Sequence, residues 1–142
     1  MPATSYAINK ELNSEFRSGS SIQYTGLPTY WYIGLSLSTI DADGNGVSEP
    51  SDRGYRRVQV PRSVQYWTEA IGGYLTSASP IVFPQSTAHW GTVKEVFISS
   101  SGAVGTSGSY IWFHKELDSP MAVLDGTKIT IPAKAIAINR KE

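Results

Sequence analysis

The chain has 142 residues, with twelve basic side chains, twelve acidic side chains and no cysteine. This length is that of one ordinary domain and is enough to bury a hydrophobic core without disulfides. The balanced charge gives no basic surface of the kind that binds nucleic acid, and the lack of cysteine excludes disulfides and thiolate metal sites. No apolar run approaches the ~18 residues of a membrane span, so we expect neither nucleic acid nor membrane as a partner.

The best helical pattern lies at about residues 4–18. Ile8, Leu12 and Phe16 recur at i, i+4 and i+8 and form one narrow apolar stripe. We expect this short helix to pack on a sheet edge or on a neighbouring subunit.

The first strand signal lies at residues 30–38. Apolar and polar side chains alternate there, and the apolar set is Trp31, Ile33, Leu35 and Leu37. This period of two predicts a strand with one face on a core, with Trp31 inside that core. Tyr30 and Tyr32 fall on the opposite face, where they are solvent-facing, packed under a second layer, or part of an interface.

Shorter strand signals follow along the rest of the chain. We predict strands at 55–60, 64–68, 81–83, 90–98, 109–117, 128–132 and 135–139, with a Gly/Ser-rich hairpin loop at 99–109 and a turn-containing link at 118–126. Short strands separated by Gly, Ser and Pro turns are typical of an antiparallel sandwich. The sequence therefore predicts an all-β fold, an antiparallel β-sandwich of about seven or eight strands over about 30–139, in a single domain 1–142 with one N-terminal helix.

An acidic, glycine-rich link at 41–54 matches part of a calcium-binding pattern. It fits the first half of an EF-hand-type loop, with Asp52 at the twelfth position. The candidate oxygen ligands are Asp41, Asp43, Asn45 and Asp52. The twelfth ligand is usually a glutamate and the flanking segments look like strands, so a polar turn with positive φ at its glycines is the alternative. No other cofactor is expected.

The sequence offers little for catalysis. It has no cysteine, no G-x-S-x-G elbow and no H-E-x-x-H motif. We interpret His114, between strand aromatics, as a packed residue rather than a base. Glu95 and Glu116 lie on strands that we expect to pair, so a glycosidase-type carboxylate pair in a small β-sandwich hydrolase is an alternative. Two exposed carboxylates facing lysines are the favoured interpretation, and we predict no enzymatic activity.

Several short motifs occur in order along the chain. They are Tyr32-Ile33-Gly34-Leu35-Ser36, Glu49-Pro50, Gly54-Tyr55-Arg56-Arg57-Val58, Ile81-Val82-Phe83-Pro84, His89-Trp90-Gly91-Thr92-Val93 and Asp125-Gly126-Thr127-Lys128-Ile129. This ordered set, together with the N-terminal helix, covers about residues 5–138 and resembles small bacteriophage structural proteins usually labelled tail-fibre or head-fibre proteins. The resemblance implies a β-sandwich virion component that is made in the host cytoplasm, is not an enzyme and inherits no catalytic residues.

The first functional hypothesis is a capsid-decoration or head/tail-fibre-type module on the particle surface. Such a module would assemble as a homo-oligomer and contact major capsid or tail components. Aromatic and arginine side chains are enriched at interfaces, and the stripe of the helix at 4–18 is a further candidate. The candidate contact residues are therefore Tyr30, Tyr32, Arg56, Arg57, Ile8, Leu12 and Phe16.

The second hypothesis is a carbohydrate- or receptor-binding β-sandwich module at a fibre or tail tip, with a host surface glycan as its ligand. Exposed aromatic rings stack on sugars, and the candidates here are Trp67, Trp90, Tyr110 and Trp112. Aromatic residues on strands are more often core residues, which favours the first hypothesis.

Overall fold

The computed structural model describes residues 5–17 and 29–139. Within these ranges the chain forms helix α1 (Ser5–Phe16), a 3-10 turn (Gly108–Tyr110) and eight strands. The strands are β1 (Tyr30–Ser36), β2 (Val58–Pro61), β3 (Tyr74–Thr76), β4 (Ile81–Val82), β5 (Gly91–Ser99), β6 (Ile111–Val123), β7 (Thr130–Ile131) and β8 (Ala137–Asn139). The predicted all-β fold with one short N-terminal helix is confirmed. None of the described helices is long and apolar enough to cross a membrane.

The described strands form three sheets. The largest has the order β2-β1-β5-β6, and two small sheets pair β3 with β8 and β4 with β7. The β1–β5, β5–β6 and β3–β8 pairs are antiparallel. The packing of these sheets as a sandwich stays a prediction.

The chain divides into two compact units. The first takes the described residues within Met1–Tyr30, Pro61–Ile81 and Ile131–Glu142, and the second is Trp31–Val60 with Val82–Thr130. The prediction of a single domain over 1–142 stays a prediction.

Helix α1 belongs to the first unit, and two residues of its apolar stripe are buried. Leu12 and Phe16 are fully buried. The ring of Phe16 meets the ring of Trp67 edge-on, with centroids 4.5 Å apart, a favourable aromatic geometry. Phe16 of the predicted stripe therefore packs within this unit.

Two asparagines of α1 fix a neighbouring turn. Asn13 Oδ1 accepts a hydrogen bond from Ala70 N, and Asn9 Oδ1 accepts one from Gly73 N, both at 2.8 Å. Because residues four apart lie on the same helix face, the two amides reach the same stretch of backbone. They satisfy backbone donors that strand pairing leaves free.

The strand predicted at 64–68 is wrong. Tyr66 N and Trp67 N both point to Ser63 O at 3.3 Å, so the backbone turns there instead of extending. Only Trp67 makes a strand-like pairing, an isolated bridge to Ser77. The strand that follows, β3, is not among the predicted strands.

Strand β1 in the second unit behaves as its alternation predicts. Trp31, Ile33 and Leu35 are at most 1% exposed. Ile33 and Leu35 pair with Ile98 and Val96 of β5 across the same face. The predicted core position of Trp31 is confirmed.

The opposite face of β1 explains a glycine in mid-strand. Gly34 pairs with Phe97, whose ring lies flat against it, so that a Cβ at position 34 would overlap the ring carbons. The Arg57 guanidinium also contacts this ring, with its central carbon 4.8 Å from the ring centroid of Phe97. Glycine thus lets an aromatic ring lie on the sheet beneath a buried arginine.

Strand β6 is longer than predicted. The expected link at 118–126 is wrong, because β6 continues to Val123, which pairs with Gly91, while Met121 pairs with Val93. The register shifts between Val93 and Glu95, and this irregularity takes up the extra residues of β6. Pro120 lies in that stretch of the last strand of the sheet, where a missing backbone donor is tolerated.

Candidate functional site

A buried ion pair joins Glu49 and Arg57 in the second unit. Arg57 Nε lies 2.8 Å from Glu49 Oε1, and Arg57 Nη2 lies 2.9 Å from Glu49 Oε2. The Arg57 side chain is 0% exposed and the Glu49 side chain is 2% exposed. Two charges taken out of water are tolerated only when the geometry is good and the remaining hydrogen bonds are made.

The remaining guanidinium donors bind the end of β5 and the loop that follows it. We call residues 100–107 the β5–β6 loop. Nη1 donates to Ser99 Oγ (3.0 Å), Ser101 O (2.7 Å) and Thr106 Oγ1 (2.8 Å), and Nη2 donates to Thr106 O (2.8 Å). Glu49 adds a contact of its own, because its Oε2 accepts a hydrogen bond from Gly105 N at 2.6 Å. The ion pair therefore fixes the backbone of this loop.

Tyr55 connects the ion pair to strand β1. Its hydroxyl donates to Glu49 Oε1 at 2.7 Å and accepts a hydrogen bond from Leu35 N at 3.1 Å. Burial, followed by the negative charge of Glu49, raises the pKa of Tyr55 far above its usual range. The phenol is therefore neutral and acts as a fixed donor.

Asp52 holds a second loop of the same unit. Its carboxylate accepts hydrogen bonds from Gly54 N (3.0 Å), from Thr87 N (2.7 Å) and the Thr87 hydroxyl, and from Trp90 Nε1 (2.7 Å). These bonds, the Thr87 hydroxyl first, hold the pKa of Asp52 well below its ordinary value. Trp90 also packs edge-on against Tyr55, with centroids 5.2 Å apart, so this loop contacts the tyrosine that bonds Glu49.

We expect Asp52→Asn to lower the melting temperature by a few degrees at neutral pH, because the amide nitrogen would face donors. The folded-state pKa of Asp52 lies below the ordinary 3.8, so its contribution to stability is complete above that pH and is lost as the pH falls further. Thermal unfolding of both proteins from neutral pH to about pH 3 should show the gap narrowing only in the acidic range. A constant gap across that range would contradict this account.

Glu95 and His114 form a third polar contact. Glu95 is 2% exposed, its Oε2 accepts a hydrogen bond from Ile40 N at 2.5 Å, and its Oε1 lies 2.8 Å from His114 Nδ1. Glu95 pairs directly with Glu116 across β5 and β6, so the predicted pairing of their strands is confirmed. The expectation of two exposed carboxylates is wrong for Glu95, because the turn containing Ile40 covers it.

The predicted contact residues lie in different environments. Leu12, Phe16 and Arg57 are buried, Arg56 is exposed, and Tyr30 is 36% exposed. The half-buried ring of Tyr32 packs on Gly102 of the β5–β6 loop, and the side chain of Ile8 lies outside the described residues. A role of this set in assembly stays a prediction.

The four predicted sugar-stacking residues fall into two classes. Trp67 and Trp90 are 0% and 3% exposed, so neither offers a ring face to solvent. Tyr110 and Trp112 are 49% and 40% exposed. A stacking role is therefore left to Tyr110 and Trp112, which follow the β5–β6 loop.

The acidic link forms a tight turn. Asp41 Oδ1 accepts hydrogen bonds from Asp43 N and Asn45 N, both at 2.9 Å, and Gly44 and Gly46 have φ of 81° and 94°. Asp52 is engaged elsewhere, by Thr87 and Trp90. Over residues 5–17 and 29–139, no three His, Cys, Asp or Glu side chains form a group that could hold a metal ion. Calcium binding by this turn stays a prediction.

The fold and the buried network define an antiparallel β protein that contains a buried ion pair. A comparison with protein families then gives the identity of the class. The family model described as Podophage GP4 fiber I protein gp80 matches residues 2–139. The chain belongs to this family of bacteriophage fibre proteins, and the resemblance inferred from its motif order is confirmed. It is a virion structural protein of the fibre type. A search of curated proteins found no match.

Proposed function

We propose that the chain is a non-enzymatic module that assembles on the surface of a podophage particle, in several copies, against capsid or tail components. The observation that carries this proposal is the family match over residues 2–139. The buried network supports it, because the motif residues Glu49, Tyr55 and Arg57 bond to one another and to backbone. These bonds hold the backbone of the β5–β6 loop in place.

The hydrogen bonds of two buried glutamates, Glu95 and Glu49, support the absence of catalysis. Glu95 is bonded to Ile40 and His114, and Glu49 to Arg57 and Tyr55. A general acid or base must reach a substrate proton within hydrogen-bond distance. Both buried carboxylates face protein donors, so a glycosidase-type pair with Glu116 would first have to break the contact between Glu95 and its partners.

Assembly would use side chains that the fold leaves outside. Tyr30 and Arg56 are exposed members of the predicted contact set. Aromatic and arginine side chains contribute most of the binding energy at many interfaces. We therefore propose that Tyr30 of the first unit and Arg56 of the second each contribute a contact to other copies, or to a capsid or tail protein.

The test is the protein content of purified particles. We expect the wild-type chain to copurify with infectious particles at a fixed copy number, and the double variant Tyr30→Ser, Arg56→Ser to be depleted. Glu116→Gln, an exposed strand residue outside the contact set, is the matched control and should be incorporated normally. A chain that is made in infected cells but is missing from purified particles would overturn the proposal.

One observation favours a second candidate, a glycan-binding module at a fibre or tail tip. The exposed rings of Tyr110 and Trp112 lie at the end of a loop that the ion pair fixes. The two functions are compatible, because a fibre module on the particle surface can also contact a host cell.

A further inference from the structure

The β5–β6 loop and the residues that flank it in sequence form a stretch without charged side chains. No charged side chain occurs between Phe97 and Phe113, although 17% of the residues of the chain are charged. Serine, glycine and threonine make up most of the loop, and aromatic residues follow it. An uncharged surface of this composition gives no attraction to a phosphate, a sulfate or an acidic peptide.

The ion pair of Glu49 and Arg57 holds the loop in one position. Arg57 binds the carbonyl oxygens of Ser101 and Thr106, and Glu49 binds the amide of Gly105. The supporting pair carries no net charge, so it adds no attraction for ions. A loop that is already ordered loses less conformational entropy when it binds a ligand.

Two partly exposed aromatic residues border the loop. Trp112 packs edge-on against the fully buried Trp31, with centroids 5.1 Å apart, while 40% of Trp112 stays exposed. Tyr110 is 49% exposed, and its carbonyl accepts a hydrogen bond from Ser100 N at 2.9 Å. Aromatic anchors next to serine and glycine are also the composition of antibody binding loops.

The turn at 41–46 adds polar acceptors at one end of this surface. Gly108 N donates to Gly44 O at 2.9 Å, and Asn45 Oδ1 lies beside Gly108. Asn45 and Asp43 are exposed. Amide and carboxylate oxygens accept hydrogen bonds from hydroxyl groups, and the negative charge of the carboxylate repels anions.

We propose that the β5–β6 loop, Tyr110 and Trp112 form a binding surface for an uncharged glycan, with Glu49 and Arg57 as positioning residues. The inference rests on the proposed function, which brings this surface to the outside of a particle. The ring faces would contact the C–H surface of a sugar, and serine hydroxyls, Asn45 and backbone groups would contact its hydroxyls.

The first test is binding of the purified chain to an array of uncharged and anionic oligosaccharides. We expect binding to uncharged members only, and about tenfold or greater loss of affinity for Trp112→Ala and for Tyr110→Ala. Tyr74→Ala is the matched control, because Tyr74 is a 55% exposed tyrosine of the other unit. Binding to anionic members only, no binding to any uncharged member, or equal binding by Trp112→Ala would each overturn the proposal.

The second test separates positioning from stability. Arg57→Lys keeps the charge, but the three donors of an ammonium cannot replace all the bonds that the guanidinium makes to Glu49 and the loop. Asp52→Asn is the control, because it loosens the loop around Thr87 and Trp90 in the same unit. At a temperature where both variants are folded, we expect weaker glycan binding by Arg57→Lys alone. Equal binding by the two variants would remove the positioning role.

The outcome for the surface and the outcome for the proposed function are distinguishable. Particles that carry Trp112→Ala should contain the chain at the normal copy number but adsorb poorly to cells. Loss of the chain from particles would count against assembly, whereas the array reports on the purified protein alone. The two results therefore decide the two proposals separately.

Discussion

Arg57→Ala is expected to lower the free energy of unfolding by about 3–5 kcal/mol. The variant leaves Glu49, whose side chain is 2% exposed, buried without its counter-charge. It also removes the donors that hold the backbone of the β5–β6 loop. Breaking a buried pair costs this much because the surviving charge has lost both its solvent and its partner. Urea denaturation monitored by tryptophan fluorescence measures the change.

Arg56→Ala is the matched control, because Arg56 is the neighbouring arginine and is exposed. We expect it to change stability by less than about 0.5 kcal/mol. Similar losses for the two variants would mean that the bonds of Arg57 contribute little to stability. Removing both Glu49 and Arg57 should cost less than the sum of the two single changes, because no unpaired charge remains.

Trp31→Ala is expected to be equally damaging, at about 3–5 kcal/mol. Trp31 is fully buried on β1, so its removal leaves a large cavity and takes away the ring against which Trp112 packs. Thermal or chemical unfolding measures the loss directly.

Trp112→Ala tests the opposite side of the same ring pair. Trp112 is 40% exposed, so we expect a loss of only about 1 kcal/mol, mainly the aromatic contact. An equal loss for the two tryptophans would show that the exposed ring is as important to the core as the buried one. The proposal that Trp112 is kept for ligand binding would then lose its support.

The regular parts of the fold could be predicted from local pattern. Trp31, Ile33 and Leu35 alternate with smaller or polar residues, and this pattern correctly placed them in a core. The i, i+4 stripe of Leu12 and Phe16 likewise placed a helix. Both patterns are local consequences of backbone geometry, so a single sequence is enough to show them.

The course of β6 could not be predicted in the same way. Asp118 and Pro120 indicate a turn by their own preferences, yet the chain stays paired with β5 as far as Val123. The register irregularity that accommodates them depends on the partner strand. Tertiary pairing overrides local propensity here, and no window of sequence contains both strands.

The buried network was missed for a related reason. Arg57 alternates with Val58, which indicates a polar, solvent-facing side of a strand. The cover over that side is the β5–β6 loop, which lies more than forty residues further along the chain, as the contact between Arg57 and Ser101 shows. Glu49-Pro50 and Gly54-Tyr55-Arg56-Arg57 did carry a signal, as landmarks of the family resemblance, but landmark order does not show which side chains meet.

The exposed aromatics show the same limit. Trp67, Trp90, Tyr110 and Trp112 were equivalent candidates by residue type. Their burial was decided by distant partners: Phe16 covers Trp67, while Tyr55 and Asp52 enclose Trp90. Which aromatic residue is available to a ligand is a property of the folded chain.

The hydrogen bonds that Glu49 and Arg57 make to the β5–β6 loop have an evolutionary consequence. Arg57 and Glu49 hold it largely through main-chain atoms of Ser101, Gly105 and Thr106. Ala103 and Val104 lie between these bonded residues and are exposed. Substitutions at these two positions should therefore leave the anchoring underneath intact, so that this part of the loop can vary in sequence without a change of fold.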